Sequence, residues 1–590
     1  MTKQEFQQLH QKAQFKYQEL NHQSNIIALI RFLLGLGIIA FLCIGYFQKM
    51  PWLYGLSLLC LIVFCILIRY HDQMKKQCRY YQSLSDIYQK HLLRIQGQWD
   101  AFENDGSEYL NDKAYKAIDL DILGHHSLFQ FINIAFTKRG QVQLSKRLSN
   151  DCIACDEIKK RQEAILDMSD HQEFVFQIEA LGHMLHPKQE KAIDQFVETE
   201  KIHQQKITPL IFIVSFLTIV SLICLLFSIG QPYAQVIFEV GCVFQLCFSF
   251  LYIKKHQDLF EPVALLNKGL QNYLDIFKLI SKTSFQSSQL QFLQMQICHQ
   301  GRAVEGIEKL SVIAQRIGYR QNIFVIIFLN ALGLYDFWLR NQYLSWLENY
   351  QKDIPIWFDG LAEIETVMSL SVLKIDDFDV TMPKLSIKQS LSFSNLRHPL
   401  IAQEKVVGND FVMKQSVCVI TGSNMSGKTT FMRTIGLNLV LAYAGGYVFA
   451  KEMTCSPMHI LTSMRVKDNV EEGISTFYGE LLRIKDMIAF SKNKQPMICF
   501  IDEIFKGTNS LDRIAGAKAT IQKLSLDYAM TFLTTHDFEL CQIQDIHCQN
   551  YHFDEYYENE HIYFDYHIKE GQSQSTNGQF LLRQLGILED

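Results

Sequence analysis

Four long apolar runs stand out against an otherwise polar-patterned first half of the chain: Ile26 to Phe47, Trp52 to Ile68, Ile207 to Ile229 and Tyr233 to Ile253. A helix needs roughly 20 apolar residues to cross the ~30 Å hydrocarbon layer. The runs therefore predict two tight membrane hairpins, one turning at Pro51 and one at Gly230 and Pro232. The competing reading is a pair of buried soluble hairpins, but soluble helices keep a polar stripe and these hardly do. Arg31 lies close enough to a helix end to snorkel, and Glu239 is expected to face a neighbouring helix. The first run starts too late and is too long for a cleaved signal peptide. Lys201 and Lys206 precede the third run, and Arg69, Lys75, Lys76 and Arg79 follow the second, whereas the turns hold only Lys49. The positive-inside rule then places both chain ends and the large intervening segments in the cytoplasm of a multi-pass protein. A further run, Ile323 to Leu334, contains Asn330 and is too short to span; a core or interfacial helix is expected there.

Elsewhere the periodicity is helical up to about residue 382. Residues 73–103 read as a linking helix, and 117–200 and 256–375 as helices with polar faces. The Gln-rich stretch Gln286 to Gln300 reads as a solvated helix face. From 383 short β-rich runs alternate with helices: Val417 to Ile420, Met497 to Ile501, Met530 to Leu533 and Ile562 to Tyr566. That alternation predicts an α/β domain with a mostly parallel sheet. The expected division is an N-terminal membrane hairpin (1–72, spans 26–47 and 52–68), a helical linker (73–116), a helical core (117–382) interrupted by a second hairpin (207–229 and 233–253), and an α/β domain (383–590).

Composition sharpens this picture. With 48% hydrophobic and 20% charged residues, the 590-residue chain is not a disordered one. Its mean hydropathy of +0.01 accords with membrane segments. A net charge of -5 argues against a strongly basic nucleic-acid binder, though not against a local basic groove. The 15 cysteines are scattered, which suggests reduced thiols in a cytosol-facing protein. Cys541, His547, Cys548 and His552 fit no zinc spacing.

The chemistry concentrates near the C-terminus. The apolar strand Val417 to Thr421 runs into Gly422-Ser423-Asn424-Met425-Ser426-Gly427-Lys428-Thr429, and a helix is expected over Thr430 to Val440. Strand, glycine loop and helix is the context of a P-loop: backbone N–H groups cradle phosphates at a helix N-terminus, Lys428 reaches the β/γ-phosphates and Thr429 ligates Mg²⁺. A second strand ends in Asp502-Glu503, expected to hold Mg²⁺ and to polarise the attacking water, respectively. A third leads to His536, a candidate γ-phosphate sensor. ATP and Mg²⁺ are the expected cofactors. No L-S-G-G-Q-like signature supports a transport ATPase.

These motifs resemble the MutS family of DNA mismatch-repair ATPases. The glycine loop continuing to Arg433 resembles the family's T-G-P-N-M-x-G-K-S-T-x-x-R; Arg397-His398-Pro399, Asn409-Asp410, Gly473 to Phe477 with Glu480, Asp502-Glu503-Ile504 with Gly507-Thr508 and Asp512, and Thr535-His536 with Glu539-Leu540 follow in the family's order. The segment Glu570 to Leu588 is similar to its terminal helical element, although Asn577 departs from the usual S-Y-G, and Asp119-Leu120-Asp121 with Thr137 to Arg147 and Arg161-Gln162 looks like the start of its helical core. The resemblance implies a P-loop domain of ABC/MutS type, ATP hydrolysis, a homodimer in which Ser475 contacts the partner's nucleotide, and action on DNA. Val406 stands where the family often has an aromatic residue that stacks on adenine. Residues 1–116 precede the helical core here and the expected membrane hairpin occupies much of them, so the family's mismatch-reading domain is not expected in this sequence. Two functions follow: a membrane-anchored MutS-like ATPase acting on DNA, or a mechanochemical ATPase acting on an unknown membrane protein partner.

Overall fold

The structure, a computed structural model, describes Met1 to Ser573 apart from residues 112–113, 152–153, 186–192, 194–195, 197–211, 228–231, 424, 466–475, 507, 543–547 and 559–560. Helix α1 (Lys3–Gln48) opens with a capping box between Thr2 and Glu5 and ends at Lys49, whose φ of 52° reverses the chain into α2 (Trp52–Ile95). Their 46 and 44 residues correspond to about 69 and 66 Å at 1.5 Å per residue, more than twice the ~30 Å hydrocarbon layer. Each helix thus has an apolar half and a polar half. The apolar half is bare, with Phe32, Leu36, Ile39, Leu58 and Ile62 exposed. The polar half enters the main core, where the ring of Phe6 stacks on His91 at 5.2 Å. The expected 73–103 linker is therefore mostly the continuation of α2.

The helical region continues through α3 (Tyr115–Asp119), α4 (Leu128–Ile132), α5 (Lys138–Ser149), α6 (Cys155–Asp170) and α7 (Gln172–His183). Thr137 caps α5, and the buried Glu365 carboxylate accepts from the Phe136 and Thr137 N–H groups at 3.2 and 3.0 Å. The second pair is α8 (Phe212–Leu226) and α9 (Tyr233–Leu251); the flanks of the expected 207–229 span, with Lys201, Lys206 and Gly230, fall outside the described residues. The two helices meet through a polar seam: Ser215 Oγ donates to Gln245 Oε1 at 2.8 Å, and Gln245 Nε2 donates to Thr218 Oγ1 at 2.9 Å. Small polar residues are what let helices associate in lipid, where no hydrophobic force drives pairing. Among the described residues, three helices are long and apolar enough to cross a membrane: α1, α2 and α9. Glu239 departs from expectation, since it is exposed and accepts from Gln235 of its own helix.

Helices α10 (Ile253–Lys282), α11 (Ser288–Gln294), α12 (Ala303–Gly318), α13 (Ile323–Gly333), α14 (Tyr335–Tyr350) and α15 (Ile354–Ile375) complete the helical region. The Gln-rich stretch is not merely a solvated face. Gln294 Nε2 donates to the Ile280 and Thr283 carbonyls at 2.6 and 2.7 Å, tying off the open end of α10. Nor is α13 a core helix: it packs on α8 and α9, and Phe324, Ile327 and Phe328 are exposed.

Beyond 383 lie two sheets, of which the sequence predicted one. The smaller contains β1 (Lys384–Leu385), β2 (Leu391–Leu396), β3 (Asn409–Val412) and β5 (Glu452–Cys455) in the order β1-β5-β2-β3. The larger contains β4 (Val417–Thr421), β6 (His459–Ser463), β7 (Met497–Ile501), β8 (Ala529–Thr534), β9 (Cys548–Glu558) and β10 (His561–Glu570) in the order β10-β9-β4-β8-β7-β6. It is parallel except for the antiparallel edge strand β10. Helices α16 (Lys428–Ala444), α17 (Thr476–Ser491) and α18 (Ser510–Leu524) cross over between strands. The terminal helical element expected over Glu570 to Leu588 begins instead with the last residue of β10, and 574–590 lie outside the described residues.

The packing of α12 on α15 is tight enough to test. The Trp357 indole N–H donates to Gly301 O at 2.6 Å, which fixes the ring, and a Cβ on Gly306 would lie 2.4 Å from it. Gly306→Ala is expected to destabilise the helical region by about 1–3 kcal/mol through overpacking. Calorimetry should show a lower unfolding temperature, and an unchanged one would contradict the packing.

Candidate functional site

The chemistry-bearing residues collect at the C-terminal ends of β4, β7 and β8, where ligands bind in open parallel sheets. The glycine loop has the conformation its residues permit. Gly422 and Gly427 have φ of 142° and 107°, and a Cβ on Gly422 would lie 2.8 Å from the Phe553 carbonyl oxygen. Met425 also has positive φ and is exposed, while Asn424 lies outside the described residues. Helix α16 starts at Lys428 with no side-chain cap, so its first N–H groups face the loop. Lys428 Nζ donates to the Gly422 and Ser423 carbonyls at 2.7 Å each. Burial lowers the Lys428 ammonium pKa, while Glu503 and Asp502 oppose that shift.

Thr429 and Asp502 come together as expected. Asp502 accepts from Thr429 Oγ1 at 2.8 Å through one carboxylate oxygen and from Thr534 Oγ1 at 2.6 Å through the other. A hydroxyl and a carboxylate side by side suit Mg²⁺, which takes one or two protein carboxylates and completes its shell with waters and phosphate oxygens. Among the described residues no group of three or more His, Cys, Asp or Glu is placed to hold a metal, so a dedicated cage is not what this site offers.

Glu503 and Phe505 both have positive φ, at 50° and 58°, which costs about 1–3 kcal/mol each for non-glycine residues. Three contacts hold them there. Glu503 N–H donates to Thr534 Oγ1 at 2.8 Å, Phe505 N–H donates to Glu480 Oε1 at 2.6 Å, and the Phe505 ring covers Gly516, where a Cβ would lie 2.8 Å from it. The Glu503 carboxylate is engaged on both oxygens, by His536 Nε2 at 3.2 Å and Lys506 Nζ at 2.5 Å. The His536 hydrogen bond and the Lys506 contact, working against burial, hold it to about 2. A carboxylate so paired is a weak base, so Glu503 must exchange these partners for water before it can take a proton.

Beside the loop a cavity of about 410 Å³ extends between Lys428, Thr430, His398, Val406 and Tyr566, within the roughly 300–1,000 Å³ usual for small-molecule sites. Ser423 and Ser426 belong to the loop itself; Ser423 Oγ donates to Glu555 Oε2 at 2.8 Å. His398 is driven down to about 4 by burial, with Arg433 adding to the shift, so a neutral imidazole lines the wall. Val406 lines the cavity as expected, but so does an aromatic ring the sequence reading did not anticipate. Asn409 Nδ2 donates to Tyr566 O, and its Oδ1 accepts from the Ile568 N–H. This pins a register shift of β10 that turns Tyr566 into the pocket. The only advance signal was Asn409-Asp410, noted as a motif without a role. Ser475 lies outside the described residues.

Residues 418–586 match the family model described as MutS domain V, the ATPase domain of MutS proteins. The mixed α/β sheet behind a helical N-terminal region accords with that match.

Glu480 provides a pH test of this geometry. Burial, aided by Asp502, pushes its carboxyl up to about 7 against the Phe505 N–H bond and Arg483. The folded state therefore holds more protons than the unfolded one between the ordinary carboxyl value of 4.5 and about 7. This carboxyl's contribution to stability is complete below that window and lost as pH rises through it. Glu480→Gln keeps an acceptor for Phe505 and removes the titration. Its melting temperature should match wild type at low pH and exceed it above about 7; a difference that does not vary with pH would contradict the assignment.

Proposed function

We propose that the chain is a membrane-anchored, MutS-like ATPase that binds and hydrolyses ATP in a homodimer and uses the resulting conformational change to act on mismatched or branched DNA. The observation that carries the nucleotide reading is the Thr429–Asp502–Thr534 bridge at the mouth of a cavity entered over Lys428. Lys428 and the loop N–H groups bind the triphosphate, Thr429 and Asp502 hold Mg²⁺, and Val406 and Tyr566 flank the base and sugar. Bound Mg²⁺ neutralises charge on the phosphates. Glu503, released from His536 and Lys506, orients water. Ser475 reaches the partner's nucleotide across the dimer. Membrane attachment rests on the bare apolar halves of α1 and α2 and on the α8–α9 pair, with both chain ends and the ATPase domain cytoplasmic.

The second reading, a mechanochemical ATPase acting on a membrane protein, is favoured by the polar halves of α1 and α2. They continue without a break from the apolar segments into the same core as the nucleotide helix α16.

Lys428→Ala should abolish ATP binding in equilibrium titration, and Glu503→Gln should retain binding while turnover falls by about 10²-fold or more, the scale of lost general-base catalysis. A Glu503→Gln protein with wild-type turnover would remove the general-base role. Turnover of the detergent-solubilised chain should rise with heteroduplex or branched DNA, in a manner weakened by salt. ATP hydrolysis indifferent to every DNA, with none bound at low salt, would leave the protein-partner reading.

A further inference from the structure

A second cavity, of about 590 Å³ and sharing no lining residue with the one beside the glycine loop, opens where α9, α10, α12 and α13 converge. The contacts show which helices meet around it. Helix α10 follows α9 after Tyr252 and carries Lys254 and Lys255 at its start. Helix α12 runs antiparallel to α10, with Lys278 opposite Glu308 and the Arg320 guanidinium 5.0 Å over the Phe260 ring. Helix α14 returns along α12, through Arg316 to Gln342 and Trp346 to Gly306. Helix α13 stands at 86° to α14 and packs on both α8 and α9. The cavity therefore lies at the boundary between the apolar band and the polar region.

Its chemistry is divided in the same way. The rim consists of exposed apolar side chains: Phe250, Ile253, Ile323 and Ile327. The inner wall is polar. Ser249 is buried and its Oγ has no hydrogen-bond partner. Arg320 and the buried Asp336 both line it and form an ion pair through Arg320 Nε at 3.0 Å. Glu261 is exposed at the mouth. A buried hydroxyl without a partner is destabilising, and a polar ligand group would supply the missing bond.

We propose that this cavity binds one phospholipid whose head carries both a phosphate and a primary ammonium, as in phosphatidylethanolamine. The acyl chain lies against Phe250, Ile253, Ile323 and Ile327, the phosphate accepts from Arg320 and Ser249, and the ammonium donates to Glu261. An anionic head would leave Glu261 facing like charge, and a choline head cannot donate the hydrogen bond. The site rests on the membrane reading given above.

The full chain, extracted in mild detergent, is titrated by native mass spectrometry with phosphatidylethanolamine, phosphatidylglycerol and phosphatidylcholine, and with soluble glycerophosphoethanolamine, which has the head without the chains. Wild type should hold one phosphatidylethanolamine per chain, bind the other two lipids more weakly, and not bind the soluble head. Arg320→Met and Ser249→Leu should each weaken phosphatidylethanolamine binding roughly tenfold, a loss of about 1.4 kcal/mol. Leu36→Ala, on the distant first hairpin, should leave it unchanged. Equal affinity for the three lipids, binding of the soluble head alone, or variants that bind as wild type would each overturn the proposal. Carbonate extraction separates the layers: a chain released like a soluble protein overturns the membrane reading beneath it, whereas a chain that stays embedded without head-group preference overturns the lipid site alone.

Discussion

The structure depends on one buried carboxylate, that of Asp119. It accepts from the Met464 and Arg465 N–H groups at 3.1 and 3.0 Å and from Arg483 Nη1 at 2.9 Å. It is wholly buried, so these bonds must be complete; removing one side of such a pairing costs about 3–5 kcal/mol. Two residues on, Asp121 takes Arg433 of α16 and Arg465 after β6. Between the two aspartates Leu120 lies so close to Gly436 that a Cβ there would be 2.6 Å from it. The helical region is thereby held against the helix that begins at Lys428. The Arg433–Asp121 pair and the Leu120–Gly436 contact are the points at which α16 touches this joint.

After β7 the backbone strain is local. Glu503 and Phe505 are held in left-handed backbone by Thr534, Glu480 and the Gly516 contact, and Glu503 is held by His536 and Lys506. Residues that stay in such conformations only because their neighbours over-determine them are suited to switching. The polar ends of α1 and α2 lie in the core that also contains α16 residues such as Met432 and Ile435. Among the described residues, the polar ends of the first hairpin and helix α16 thus share one packed core.

The elements with strong periodicity were legible in the sequence. The apolar runs became α1, α2 and α9, and the strands bearing the glycine loop, Asp502 and His536 fell where alternation put them. The small sheet was not legible, because β1 has only two residues and β5 four, too short to show a period. Lys428, Thr429, Asp502 and Glu503, singled out by their spacing, do lie together at one end of the large sheet. Tyr566 and Thr534 were not singled out: one reaches the cavity through a register shift and the other through the end of a neighbouring strand, and both depend on tertiary placement. The role of Arg433 was hidden for the same reason, since its partner Asp121 lies 312 positions away.

The central claim is that nucleotide binds in this cradle and is felt in the helical joint. Hydrogen–deuterium exchange of the full chain in detergent, with and without Mg-ATP, tests it directly. The account predicts slower exchange over Gly422–Thr429 and Ile401–Val407, together with a change at Asp119–Asp121. Unaltered exchange over Gly422–Thr429 at saturating nucleotide would contradict it.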